Sequence, residues 1–218
     1  NAHHKAEQIL DFVQTQKNSG LQIECSLEPE ILGTGGALQQ ARHLLPDEPF
    51  WLFNADVAAA LNPAALLHLF KQRHPLAVLW MHDRLGPRTV LMNQHEILSF
   101  HADVPGSPHT VTFCGLHLLT PKILDFIPTE GFASIIDAYT EARRAGHSVL
   151  GTVVPNAFWA DTGTPEQYLE AHRDTQEAAR HNGPGAALYR GATTPPANMA
   201  VHEFAAIGNR ASIGRRTL

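Results

Sequence analysis

The chain has 218 residues, of which 44% are hydrophobic and 17% charged, and a formal net charge of −5. That length and balance suit one or two globular domains with a sizeable core and exclude a disordered polymer. The acidic excess argues against a general nucleic-acid binder, which needs basic residues to neutralise phosphates, and no run approaches the ~18 apolar residues of a membrane span.

Residues 3–18 carry Ile9, Leu10, Phe12 and Val13 on one helical face, and Asn18-Ser19-Gly20 ends that pattern. Alternation over 21–27 predicts a strand. A helix over 33–45 is stopped by Pro46. The continuous apolar run 50–53 predicts a parallel strand covered on both faces. Asn62-Pro63 opens a helix to residue 73, and 76–81 predicts a second buried strand. Residues 89–92 and 97–100 flank Asn93-Gln94-His95 as a hairpin. A polar loop over 101–108 precedes a long strand, 110–119, with Gly115 in its middle; a strand glycine often marks the close approach of a ligand or another backbone. Helices over 121–127 and 133–144 lead to a strand over 149–154. Thr164 caps a helix to about residue 181, with Pro165 at its first position. The alternation of strands and helices predicts an α/β fold with a mainly parallel sheet.

Beyond His181 the texture changes. Residues 182–200 are linker-like, rich in glycine and proline. Over 201–218 a period of six appears: Val201, Ile207 and Ile213, each followed four residues later by Ala205, Ala211 and Thr217. This fits the start of a left-handed parallel β-helix, for which three units is about the minimum; an ordinary strand pair is the alternative.

Cys25 and Cys114 lack metal-ligand spacing and read as buried thiols of a reducing, cytoplasmic protein. Of fourteen histidines only His3-His4 are adjacent and no HExxH occurs, so no histidine metal site is expected. No secretory signal is visible, and a first residue, Asn1, inside a helical pattern leads us to expect the natural start upstream.

Two aspartates carry the chemistry. Asp56 follows the 50–53 run in Phe53-Asn54-Ala55-Asp56, and Asp161 follows the 149–154 run through Trp159-Ala160. Ligands of open α/β sheets sit beyond the carboxyl ends of strands, so if both runs share one sheet both carboxylates border one crevice. Magnesium binds oxygen at ~2.1 Å and usually takes one or two protein carboxylates together with phosphate oxygens, which is the count available here. The competing reading is that both aspartates cap helices or turns. Gly33-Thr34-Gly35-Gly36, at the start of a helix, is neither Walker A nor GxGxxG. It reads as a phosphate cradle, as a loop whose backbone reads a base edge, or as a tight structural turn.

Taken together these residues resemble the sugar-1-phosphate nucleotidyltransferases, most closely the mannose-1-phosphate guanylyltransferase branch, from residue 1 to about 172. The matching segments are Glu30 through Ala37 as E-x-x-G-T-G/A-G-A, Asn54-Ala55-Asp56 as N-G-D, Phe113-Cys114-Gly115-Leu116 as F-x-G-I/L, and Trp159 through Pro165 as W-x-D-x-G-T-P. The last is the most specific. The resemblance implies a Rossmann-like nucleotide-diphospho-sugar transferase domain over 1–181, a linker over 182–200, and a truncated hexapeptide-repeat β-helix over 201–218. It implies an enzyme that joins a nucleoside triphosphate, GTP by preference, to a sugar 1-phosphate, mannose 1-phosphate by preference, with release of pyrophosphate. Asp56 and Asp161 would hold Mg2+ as catalytic ligands. Glu28, Gly33, Thr34, Gly36 and Asn54 would contact the nucleotide, and Gly115 the sugar. No nucleic-acid or membrane partner is implied, and homo-oligomerisation stays open.

The sequence departs from the family pattern in places. Ala55 stands where the family has glycine, tolerable only if the backbone there needs no positive φ. The E-K-P triplet before the sugar strand is absent, leaving Arg84 and Arg88 as nearby basic residues, read as exposed loop arginines. The family's first strands and glycine-rich triphosphate loop have no counterpart, so the sheet is expected to be incomplete at its N-terminus and the chain alone inactive. Two alternatives remain: a uridylyltransferase acting on glucose 1-phosphate or an amino-sugar 1-phosphate, and a non-catalytic subunit that binds NDP-sugar.

Overall fold

The computed structural model describes residues 1–16, 20–104 and 107–188. The hexads from Val201 to Thr217 and most of the 182–200 linker lie outside the described residues. In chain order the elements are α1 (Ala6–Thr15), α2 (Gly33–Gln40), β1 (Phe50–Phe53), β2 (Val57–Ala60), α3 (Ala64–Arg73), β3 (Ala77–His82), β4 (Val90–Asn93), β5 (Glu96–Ser99), β6 (Thr110–Leu119), α4 (Ile135–Arg144), β7 (Val149–Val153), β8 (Phe158–Asp161) and α5 (Pro165–Arg180). Short 3₁₀ turns at Ala41–Leu44, Pro121–Phe126 and Ala186–Leu188 link some of them.

β3 organises the core because it has an apolar side chain on both faces at every position but its last. Ala77, Leu79 and Met81 point into a cluster with Leu119, Ile123, Ile135 and Tyr139. Val78 and Trp80 point into a second cluster with Leu66, Leu69, Phe70 and Leu118. The strand's period of two thus feeds two layers, one under α2 and α4 and one under α3. Leu79, Trp80 and Met81 are fully buried, and burial of each contributes roughly 1.5–3 kcal/mol.

The main sheet runs β1-β6-β3-β7-β5-β4, with β4 also touching β6. It is mixed, which corrects the expectation of a mainly parallel sheet. Among the described strands only β3 and β7 pair in parallel; β6 lies antiparallel between β1 and β3. A strand of ten residues is long enough to serve three neighbours, and β6 meets β4 at its start and β1 and β3 at its end. Among the described residues β1, at one edge of the sheet, pairs with β6 alone. Its covering is one-sided: Phe50 is buried, but Trp51 and Phe53 are 43% and 47% exposed. The strand expected over 21–27 does not form. That stretch makes one isolated parallel bridge, Ala2 with Leu27.

β2 and β8 were not expected as strands. They form a separate antiparallel ribbon in which Val57 faces Asp161 and Ala60 faces Phe158. Trp159 of this ribbon packs on the α3-side cluster, fixing the ribbon to the main body. α5 follows at once. Thr164 accepts from the backbone of Gln167, whose side chain returns the bond to Thr164, a capping box with Pro165 at the first helical position. Cys114 is buried and its thiol is pushed well up by that burial, whereas Cys25 is only partly covered; both are free. Among the described residues no helix is long and apolar enough to cross a membrane.

Candidate active site

The two aspartates converge. Asp56 immediately precedes β2, Asp161 ends β8, and the ribbon register brings them side by side; the Thr162 N–H donates to the Asp56 carbonyl at 2.9 Å. A point one bond above the Gly163 Cα lies 3.2 Å from Asp161 Oδ1 and 3.8 Å from Asp56 Oδ2. Both side chains are exposed, and neither forms an ion pair with a described residue. Asp161 Oδ1 accepts the Gly163 N–H at 2.9 Å, closing a local turn, while the Asp56 carboxylate takes no hydrogen bond from the described residues. The turn-capping reading therefore holds for one oxygen of Asp161 and leaves the rest of the pair open.

Among the described residues no group of three or more His, Cys, Asp or Glu gathers as a metal site. Two hard carboxylates beside one another are a partial donor set. They suit a magnesium ion that draws its remaining ligands from phosphate oxygens and water, and they suit zinc, which wants imidazole or thiolate, poorly.

A cleft of about 570 Å3 leads from Asp56 to the glycine segment. Asn54, Ala55 and Asp56 line it from one segment, Gly33 and Thr34 from another, and Leu38, Leu45 and Leu52 share the lining. None of its lining residues is basic. Ala55 is not among the residues with positive φ, so the alanine costs nothing there.

The glycine segment has its own explanation. The N–H groups of Gly35 and Gly36 donate to the Ala133 carbonyl at 2.9 and 3.2 Å, and Ala133 N–H donates to Leu32 O at 2.8 Å. Those amides are engaged, so the phosphate-cradle reading does not fit; Gly33 and Thr34 are what the segment presents to the cleft. A Cβ on Gly36 would sit 2.7 Å from the Gly131 carbonyl oxygen, which places Gly36 in the packing rather than on the cleft wall. Gly33, with φ of 68°, adopts a backbone conformation that glycine takes without cost.

Gly115 and Asn54 are coupled. Gly115 has φ of 79°, its carbonyl accepts the Asn54 N–H at 2.9 Å, and a Cβ there would meet Asn54 Cβ at 3.0 Å. The glycine in β6 thus admits the end of β1. Glu28 lies beneath the cleft wall, buried, with its carboxylate bonded to Asn1 and to the Leu32 N–H. Arg84 is 85% exposed. Arg88 is half-buried and structural, donating to the carbonyls of Thr110 and Ser107 at 3.1 and 2.7 Å. Asn1, a cleft residue, carries no motif that marked it in advance, and Thr162, which clamps Asp56, falls on an unspecified position of the W-x-D-x-G-T-P element.

A family model described as Nucleotidyl transferase matches residues 1–178. The chain is 30% identical over 221 residues to a probable mannose-1-phosphate guanylyltransferase 1 of Oryza sativa subsp. japonica, covering 97% of this chain and 60% of that protein. It thus spans about three-fifths of the length of that relative. In structure it is similar to HddC from Yersinia pseudotuberculosis (TM-score 0.60, 20% identity, 77% of this chain and 73% of that one), a protein also known in complex with GMP-PN. It is similar as well to a putative glucose-1-phosphate thymidylyltransferase from Bacillus anthracis (TM-score 0.63, 13% identity, 75% and 69%). At these identities the structural likeness is one of fold.

Proposed function

Because the chain belongs to the nucleotidyl transferase family, we propose that it is the catalytic part of a sugar-1-phosphate nucleotidyltransferase, with GTP and mannose 1-phosphate as the substrate pair. The carrying observation is that Asp161 lies beside Asp56, and that Asp56 lines a cleft together with Gly33 and Thr34. The guanylyl preference is supported by the relative from rice, and a guanine nucleotide is compatible with a fold that HddC uses to hold GMP-PN.

In this reading a phosphate oxygen of the sugar 1-phosphate attacks the α-phosphorus of the triphosphate in line. The bond from that phosphorus to the bridging α–β oxygen breaks, and pyrophosphate leaves with the electron pair. No side-chain nucleophile is needed; positioning and charge neutralisation lower the barrier. Asp56 and Asp161 would hold a magnesium ion whose charge offsets that gathering on the phosphates. The absence of basic residues from the cleft lining makes that contribution the larger one on this side of the site. Gly33 and Thr34 would border the base, and Asn54, fixed by Gly115, would contact the nucleotide.

Pyrophosphate release is the test. The full-length protein with Mg2+ is to be offered GTP and UTP, each with mannose 1-phosphate, glucose 1-phosphate and an amino-sugar 1-phosphate, with and without EDTA. Metal-dependent turnover highest with GTP and mannose 1-phosphate is expected. Preference for UTP would move the protein to the uridylyl branch. Tight NDP-sugar binding without turnover on any pair would overturn the catalytic reading in favour of a regulatory subunit.

A further inference from the structure

We propose that Arg84 contacts a phosphate group of the substrates from the 83–88 loop, which lies beside the ribbon that carries Asp161, and that His82 is the positioning residue that fastens this loop. The assignment rests on the functional reading above and supplies a positive side chain that the cleft lining lacks.

The loop follows β3, whose last residue is His82. The His82 side chain is 14% exposed, and burial lowers its pKa, so the imidazole is neutral near pH 7 and keeps an acceptor nitrogen. Its Nδ1 accepts the N–H groups of Arg84 and Leu85, each at 3.0 Å. One ring nitrogen thus closes the first turn of the loop. The rest is tied to β6, where Thr112 stands opposite His82. The Thr112 hydroxyl donates to the Leu85 carbonyl and accepts the Arg88 N–H at 2.9 Å. The Arg88 guanidinium continues the fastening through the carbonyls of Thr110 and Ser107.

Between these ties Gly86, with φ of 75°, lies against the ribbon. A Cβ there would meet Thr112 Cγ2 at 2.7 Å and Trp159 Cη2 at 3.1 Å. Trp159 belongs to β8, two residues before Asp161. Side chains two apart in a strand share a face, with Cα atoms roughly 7 Å apart, so the loop packs on the face of the ribbon that also bears Asp161. Arg84 is the uncommitted charge of this loop. Its guanidinium makes no hydrogen bond to a described residue. Asp83 Oδ1 lies 3.9 Å from its Nε, and both side chains are exposed, so that pair contributes little. A pinned backbone with a free guanidinium suits a group that reaches an anion once it has entered, and the planar fork of arginine matches two phosphate oxygens. The sugar 1-phosphate and the triphosphate both offer such oxygens.

The test uses Arg84→Ala, Arg84→Lys, His82→Leu and His82→Asn in the full-length protein with Mg2+. Pyrophosphate release gives the KM values. Calorimetry without turnover gives the Kd of the α,β-methylene analogue of GTP, and of mannose 1-phosphate added to the protein loaded with that analogue. In Arg84→Ala the Kd and KM of at least one ligand should rise about tenfold or more, as for loss of a charge-assisted bond, while the melting temperature moves by less than about 2 °C. A rise for mannose 1-phosphate alone places Arg84 at the sugar phosphate, and a rise for the nucleotide alone places it at the triphosphate. Lys should recover part of the loss, because it keeps the charge without the fork. His82→Leu should show the same weakening, with amide exchange at Arg84 and Leu85 faster by about tenfold or more. His82→Asn, whose side-chain oxygen accepts from the residue two on, should return both toward the parent. If His82→Leu does not fold, His82→Asn and the exposed change at Arg84 carry the result. Unchanged Kd and KM for both ligands in Arg84→Ala overturn the proposal, and faster exchange in His82→Leu with unchanged binding removes the role of His82. A parent that binds both ligands yet releases no pyrophosphate removes the catalytic reading and leaves Arg84 to be judged on Kd; a parent that binds neither overturns both.

Discussion

The two ends of the cleft use their polar groups in opposite ways. At the glycine end the available amides are turned inward: Gly35 and Gly36 donate to Ala133, Leu32 is clamped by Glu28, and what faces the cleft is shape. At the carboxylate end the groups are left open: the Asp56 carboxylate has no hydrogen-bond partner among the described residues, and Asp161 commits one oxygen to a turn. Open carboxylate oxygens are tolerated there because both side chains are exposed, and both lie beside Gly163. The contrast separates a wall that is built from a donor set that is held in reserve. Damage at the first end should appear as lost stability or looser binding, and damage at the second as lost chemistry in an intact fold.

The largest effect is expected at the open end. Asp56→Asn and Asp161→Asn should each lower turnover by on the order of 10²–10³-fold, while the melting temperature moves by less than about 2 °C, because no folded-state partner is lost. Pyrophosphate release beside thermal unfolding checks this; a parallel fall in both breaks the contrast. At the built end, Gly36→Ala drives a methyl against the Gly131 carbonyl at 2.7 Å. About 1–3 kcal/mol of destabilisation in urea unfolding is expected. A neutral result would mean that the 131–133 segment moves freely.

A buried polar pair in the core calibrates the comparison. His117 contacts the Tyr139 hydroxyl through Nδ1, is fully buried, and has its pKa lowered by that burial from 6.5 to about 3. Between those values the unfolded chain takes up a proton that the folded chain refuses. Stability is full above pH ~6.5 and falls as pH drops toward 3, by up to about 1.4 kcal/mol per pH unit for one proton. The urea midpoint of His117→Asn should change less steeply with pH over that window than that of the parent; equal slopes would remove the assignment. The smallest effect is at the capping box beyond the open end. Thr164→Ala should cost about 1 kcal/mol and leave the KM for the triphosphate unchanged.

Much of this was legible in the residues themselves. β3, α3, α5 with its Thr164 cap, and the placement of Gly33 and Asp56 follow from periodicity and punctuation. The antiparallel course of β6 does not, because an apolar strand reads the same in either direction. Nor does the open face of β1: its run is as apolar as β3, and only the sheet order tells that β1 is at the edge. The ribbon that brings the aspartates together was hidden for a different reason. Val57-Ala-Ala-Ala has a composition that favours helix, and its pairing with Phe158–Asp161 depends on a partner far along the chain. The stretch over 21–27 alternates as a strand should, yet makes a single bridge to Ala2, since tertiary pairing overrides propensity where the neighbouring ladder is short.

The β2–β8 ribbon also has a consequence for biogenesis. Asp56 is synthesised early, but the strand that pairs with β2 is the last of the described strands to be made. Contacts between such distant segments close slowly, after the local helices and the β3–β6 ladder have formed. The acidic pair is therefore among the last features to assemble as the polypeptide emerges. A nascent chain halted before residue 161 has a core but no juxtaposed carboxylates, which defers any metal capture until the body that surrounds it is already in place.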